Sequence, residues 1–236
     1  MIKIYPAEST FSADLGWLKS RPSFSFGAYQ DPDNSEFGVM RVCNDDEVAP
    51  GKGFGAHPHS DMEIVSIVLS GQIRHEDNLG NVAVSEPGEV QRMSAGTGVI
   101  HTEFNPSPDE WLRLLQLWFM PVKRGLPPSY ETAAYDISGT VNALLPVVSG
   151  QGFEKPGSVA SLQQDLTVYL GRLETGRELS FAQAEGRRIY VYVIEGVLDV
   201  AGGTELKVLD SARIDETPEL AIAAKADAFF MLIDLP

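Results

Sequence analysis

The chain has 236 residues, 43% of them hydrophobic and 22% charged, a composition that excludes a disordered protein and indicates a globular one. Its net charge of −15 comes without any Lys/Arg cluster, so direct nucleic-acid binding, which needs a basic patch, is not expected. No apolar run approaches the roughly 20 residues of a membrane helix, and MIKIYPAEST lacks a charged then apolar leader, so neither a membrane partner nor secretion is expected.

From the N-terminus, residues 11–19 fit a short helix or turn, and DPDN at 31–34 signals a turn. The apolar stretch 37–43 ends at the single cysteine, Cys43, expected as a buried, inert thiol. One cysteine forms no internal disulfide, which suits a reducing cytoplasm. The acidic pair Asp45-Asp46 reads as a solvated turn, with the capping of a loop near the site as the alternative. His57-Pro58-His59 lies in an extended segment. IVSIVLSGQI at 64–73 reads as an apolar strand, a tight turn at Gly71 and a returning strand. His75, in the charged run RHEDN, reads as a surface residue. NLGN at 78–81 and EPGE at 86–89 are further turns. Gly96 and Gly98 supply the backbone freedom needed to aim His101 inward.

LLQLWFMP at 114–121 is a strand ending in proline. Residues 121–157 read as a linker with some local structure, including a short helix or turn at 130–134. VYVIEGVL at 191–198 repeats the strand, glycine turn (Gly196) and returning strand, and AGG at 201–203 is another turn. FFMLIDLP at 229–236 matches LLQLWFMP. Short strands between closely spaced turns indicate an all-β sandwich or barrel. The repetition indicates two tandem β units, expected at 1–125 and 126–236 with the boundary between 122 and 157.

The candidate chemistry lies in the first half. Strand side chains alternate faces, so His57 and His59 point the same way, as do His101 and Glu103. Two short strands can thus present three imidazoles and one carboxylate to a single divalent transition metal. Glu63 shares the parity of His57 and His59, which makes it an alternative ligand or a carboxylate holding a histidine N–H. A bulge after Pro58, or the Ser60-Asp61-Met62 segment, would remove it. No histidine follows His101, so the second half cannot build an imidazole site.

These residues carry a resemblance. GKGFGAHPHSDMEIVSIVLSG at 51–71 resembles the first cupin motif, and GEVQRMSAGTGVIHTEFN at 88–105 resembles the second. The second departs from the general pattern in Glu103, two residues after His101, and in Ser94 where a proline is common. Both departures, with WLKSRPSFSFGAYQDP at 17–32, RVCNDDEVAPGKGF at 41–54 and the terminal LIDLP, resemble the pirin family, bacterial members above all. The resemblance implies two tandem cupin barrels (double-stranded β-helix, or jelly roll) packed face to face, with metal in the N-terminal one alone. His57, His59, His101 and Glu103 match the pirin ligand positions. Fe(II) is the first expectation, with Cu, Mn, Ni, Co and Zn as alternatives.

The implied activity is that of a quercetin 2,3-dioxygenase, opening the central flavonol ring with O2 and releasing CO. Glu103 is then also the candidate general base. Phe24, Phe26, Phe54, Met93 and Phe119 are candidate pocket residues, each equally at home in a barrel core. Two other readings are a redox-sensing regulatory protein of the pirin type and an oxygen-independent cupin metalloenzyme. The expected partners are a flavonol and O2, and the expected compartment is the cytoplasm. The sequence is silent on oligomeric state, and a monomer is the default.

Overall fold

The structure, a computed structural model, describes residues 1–151 and 159–236; positions 152–157 of the expected linker lie outside the described residues. In chain order the strands begin with β1 (Ile2–Tyr5), β2 (Ala13–Asp14), β3 (Leu18–Pro22), β4 (Met40–Val48), β5 (Gly53–His59), β6 (Glu63–Ser70) and β7 (Ile73–Asp77). There follow β8 (Val82–Ser85), β9 (Glu89–Ser94), β10 (Val99–Phe104), β11 (Leu112–Phe119), β12 (Ser129–Ala134), β13 (Ala143–Ser149) and β14 (Ala160–Ser161). The last six are β15 (Thr167–Leu173), β16 (Glu178–Ala182), β17 (Arg188–Val200), β18 (Thr204–Lys207), β19 (Ser211–Asp215) and β20 (Glu219–Leu235). Helix among the described residues is confined to two 3-10 turns, Ala7–Ser9 and Ile137–Thr140, so the molecule is all-β as expected. None of its helices is long and apolar enough to cross a membrane.

Of the two segments read as a helix or turn, residues 11–19 hold the turn: β2 and β3 pair as a hairpin whose turn uses Gly16 at φ +80. The other is corrected. Residues 130–134 belong to β12, which pairs with β9 along its length. There Tyr130 packs against Ile64, Met93 and Val99, and tertiary pairing overrides the helical preference of alanine.

The described residues divide into two compact units. One comprises 11–135 and 159–164; the other comprises 1–10, 136–151 and 165–236. Among the described residues the chain crosses between the units at 10/11, 135/136 and 164/165, and residues 159–164 return to the first unit. Residues 1–10 count with the second unit because β1 hydrogen-bonds along β19.

The first unit holds a seven-stranded sheet, β12-β9-β6-β11-β4-β3-β2, and a four-stranded one, β5-β10-β7-β8. The small sheet lies on the large one. Ile73 and Phe54 from the small sheet pack against Val48, Val68, Leu112 and Leu114, and Val99 packs against Ile64 and Met93. Neither sheet closes on itself, and β5 is an edge. Gly71 makes the expected turn between β6 and β7 at φ +72; a Cβ there would lie 2.6 Å from the Trp111 carbonyl oxygen.

The second unit holds β1-β19-β17-β20-β15-β13, with β16 on β20 and β18 on β17. Its core is aliphatic, centred on Ile189, Val191, Val193, Ile214 and Leu232. The expected turn at Gly196 is corrected. β17 runs through it as one strand, with register shifts against β20 on either side. A single residue at φ +79 makes a bulge that bends a strand, where a hairpin needs a loop.

Candidate metal centre

β5 reads Gly53-Phe54-Gly55-Ala56-His57-Pro58-His59 and pairs with β10, so that His101 lies opposite His57 and Val99 opposite His59. Alternation puts both imidazoles of β5 on one face, while Pro58 between them is exposed. Ring centroids are 4.4 Å apart for His57–His101, 4.8 Å for His57–His59 and 5.0 Å for His59–His101. One ring nitrogen from each lies within 4.8 Å of the others. Gly53 permits this approach. A Cβ there would stand 2.3 Å from the Glu103 carbonyl oxygen and the Phe104 Cα, forcing β5 away from β10.

Hydrogen bonds decide which ring nitrogens keep a lone pair. Asp77 Oδ2 lies 3.1 Å from His75 Nε2 and accepts a hydrogen bond from its N–H. His75 Nδ1 is then an acceptor, 3.2 Å from His101 Nδ1, so His101 carries its proton on Nδ1. His57 Nδ1 donates to the Gly55 carbonyl at 2.8 Å. His57 and His101 are each left with a bare Nε2, and these two atoms face each other at 3.0 Å. Two lone pairs at that distance repel unless a cation answers both. Nitrogen ligands about 2.1 Å from a metal and at right angles to each other lie about 3.0 Å apart. The pair therefore has the spacing of neighbouring ligands on one ion, and the donor set fits a divalent transition metal.

Burial, then the neighbouring His57 and His75, push His101 down to about 3. Burial, then His101 and His57, push His59 down to about 4. Both are neutral at ordinary pH, the form that coordinates metal.

His75 is the residue that sequence reading misplaced. It is 1% exposed, on β7, stacked on Tyr130 with ring centroids 4.1 Å apart. Arg74 and Glu76 pair on the outer face, while Ile73, His75 and Asp77 share the inner one. That period-two pattern inside the charged run RHEDN was the available signal.

Glu103 is buried on the same face as His101. Its Oε2 accepts from Gln116 Nε2 at 2.8 Å and its Oε1 from Ser66 Oγ at 3.3 Å. Its carboxylate joins His101 and His75 in a second, overlapping cluster. Neither Gln116 nor Ser66 stood out in the sequence. Glu63 departs from its expected parity. Ile64 and Ser66 border the small inner cavity beside His75 and His101, so Glu63 points to the opposite face of β6. There it accepts from Ser94 Oγ at 2.7 Å and from the Gln163 N–H at 3.0 Å, and burial raises its pKa. It belongs to neither cluster. The parity breaks at Asp61, whose φ of 49° marks the turn between β5 and β6.

A cleft of about 440 Å³ opens beside His57 and Glu103, walled by Trp17, Phe26, Phe54 and Trp118. That is large enough for a small organic ligand. Trp118 stands edge-on to both His59, at 4.8 Å, and Phe26, at 5.3 Å. Of the five candidate pocket residues, Phe26 and Phe54 border this cleft; the two tryptophans went unremarked. Phe24 and Phe119 are wholly buried core and are not among the cleft residues. Met93 borders the inner cavity instead.

The acidic pair is no solvated turn. Asp45 and Asp46 lie in β4, buried. Arg113 grips Asp45 through two hydrogen bonds, of 2.9 and 2.7 Å. Asp46 borders the cleft beside Asn44. Burial, opposed by a hydrogen bond from Ser20 and reinforced by the charges of Asp45 and Glu103, pushes its carboxyl up to about 7.

Comparison with known proteins places this geometry. Residues 6–119 match the pirin family, and residues 146–235 match the quercetinase C-terminal cupin domain. A pirin-like protein of Caulobacter vibrioides is 38% identical, with 99% of each chain covered. The quercetin 2,3-dioxygenase of Escherichia coli K12 is 37% identical over 100% of this chain and 99% of its own. The crystal structure of the Escherichia coli bacterial pirin YhhW in complex with nickel(II) matches with a TM-score of 0.92. Its identity is 36%, covering 100% of this chain and 99% of that one.

Proposed function

The chain belongs to the pirin family and carries two cupin domains, and from that premise we propose that it is a metal-dependent dioxygenase. The proposed reaction opens the central ring of quercetin or a related flavonol with O2 and releases CO. One observation carries the reading: the imidazoles of His57, His59 and His101 converge, with bare Nε2 atoms 3.0 Å apart on two of them, beside an aromatic-walled cleft. These three and Glu103 are the proposed ligands of one divalent ion. Fe(II) is placed first, with Ni(II), present in the Escherichia coli relative, and Cu, Mn, Co and Zn as alternatives.

Such an ion would acidify a coordinating phenol and, where it is redox-active, would supply the redox partner for dioxygen. The protein supplies the rest. Glu103, oriented by Gln116 and Ser66, accepts the proton of the flavonol 3-hydroxyl. Trp17, Phe26, Phe54 and Trp118 cover the flat rings and keep water from them. The cytoplasm is the proposed compartment, supported by a single cysteine, the buried Cys43, in no disulfide.

The test is elemental analysis of protein purified without added metal, paired with quercetin turnover with and without oxygen and with CO detection. One ion per chain, oxygen-dependent loss of flavonol absorbance and CO release are expected. Turnover that ignores oxygen would overturn the reading in favour of a Lewis-acid enzyme. A metal-loaded protein without turnover would overturn it in favour of a regulatory role.

A further inference from the structure

β4 carries Asn44 and Asp46 on one face, two residues apart, and both border the 440 Å³ cleft. Asn44 is 2% exposed and Asp46 4%. Asn44 Oδ1 and Asp46 Oδ1 are buried oxygens without a hydrogen-bond partner among the described residues. A buried acceptor left unsatisfied costs roughly 1–3 kcal/mol, and proteins leave few of them. Two on adjacent inward positions of one strand, in a cleft that four aromatic rings help to wall, are a feature that packing alone does not account for.

Their position is set by the sheet. Gln116 on β11 is the cross-strand partner of Asn44, and Ser20 on β3 is the partner of Asp46. The polar row therefore starts at Gln116, which donates to Glu103, and runs across β4 to β3. Two strand spacings, about 10 Å, separate its ends. A planar molecule of two or three fused or linked rings, with one end beside Glu103 and His57, reaches the other end of the row.

We propose that Asn44 and Asp46 form a recognition subsite for phenolic hydroxyls on the part of the substrate remote from the metal-binding end. The Asn44 amide oxygen accepts a phenolic O–H, the Asp46 carboxyl hydrogen-bonds a second hydroxyl, and the aromatic walls accept the ring that bears them. The inference rests on the flavonol reading above and narrows it to polyhydroxylated substrates. A site built to bond a hydroxyl rejects the analogue that lacks it, because its own buried groups are then stranded.

The test is binding, read as quenching of Trp17 and Trp118 fluorescence under anaerobic conditions so that no turnover intervenes. The ligands are quercetin and 3-hydroxyflavone, which keeps the 3-hydroxyl and the 4-carbonyl but lacks every other hydroxyl. Wild-type protein is expected to bind quercetin at least about 10-fold more tightly. In Asn44→Leu and Asp46→Leu that ratio is expected to fall at least threefold. The ratio is internal to each protein, so a partly unfolded fraction lowers the signal without changing it. A wild-type ratio below about 3 overturns the proposal, as does an undiminished ratio in both variants. If hydroxyl-dependent binding holds while no flavonol is turned over, the dioxygenase reading fails and the subsite stands.

Discussion

Asp46 stores a cost that a single isosteric change releases. Its carboxyl is pushed from 3.8 to about 7 in the folded chain, chiefly by burial. The sign follows from proton counting. Below the unfolded value both states are protonated and the group is neutral to stability. Between about 4 and 7 the unfolded chain gives up the proton while the folded one keeps it, so stability falls as pH rises through that window. Each pH unit costs about 1.4 kcal/mol, and the roughly three units amount to about 4 kcal/mol by pH 8. Asp46→Asn keeps the shape and removes the titration. Urea unfolding of both proteins at pH 5 and pH 8 should show the variant gaining about 3 kcal/mol on the wild type between the two. In thermal melts that corresponds to a gap widening by about 6–12 °C for a chain of this size. Stability curves that stay parallel, within about 0.5 kcal/mol across the range, would refute the assignment of a carboxyl kept protonated by burial to this position.

Three further outcomes follow from the site. His75→Ala removes the acceptor that fixes the His101 tautomer, and metal affinity, measured by competition with a chromophoric chelator, should weaken about 10- to 100-fold; unchanged affinity would remove His75 from the centre. Glu103→Gln should lower quercetin turnover at least about 100-fold, with metal content falling too if the carboxylate is a ligand; wild-type turnover would exclude Glu103 from the reaction. Gly53→Ala places a methyl 2.3 Å from backbone atoms of β10 and should cost roughly 2–3 kcal/mol together with metal occupancy; an unchanged melting temperature and metal content would show that β5 does not depend on this contact.

The sequence disclosed what is periodic and local. His57-Pro58-His59 and His101-Thr102-Glu103 are legible because alternation converts spacing into direction. The all-β class is legible because turn residues punctuate short apolar runs. What stayed hidden depends on partners far along the chain. The buried side chains of His75 and Asp46 lie in charged runs; alternation groups the inward members of β7, but which group faces inward is settled only once β7 and β4 pair with their neighbours. Gln116 and Ser66 are ordinary polar residues until pairing of β11 with β6 brings them together beside Glu103. Glu63 misled because parity carries only as far as the next turn, here at Asp61. Gly196 misled because one glycine serves a hairpin and a bulge equally well.

The two imidazoles of β5 sit on a strand that has a neighbour on one side alone. Such a margin offers its free backbone groups to any other extended chain, and long bare margins are where proteins polymerise. Pro58 breaks that offer. It has no N–H to give, and it stands in the middle of the last three residues of the strand. The residue that spaces His57 from His59 thus also withholds one backbone donor from the strand that carries both imidazoles.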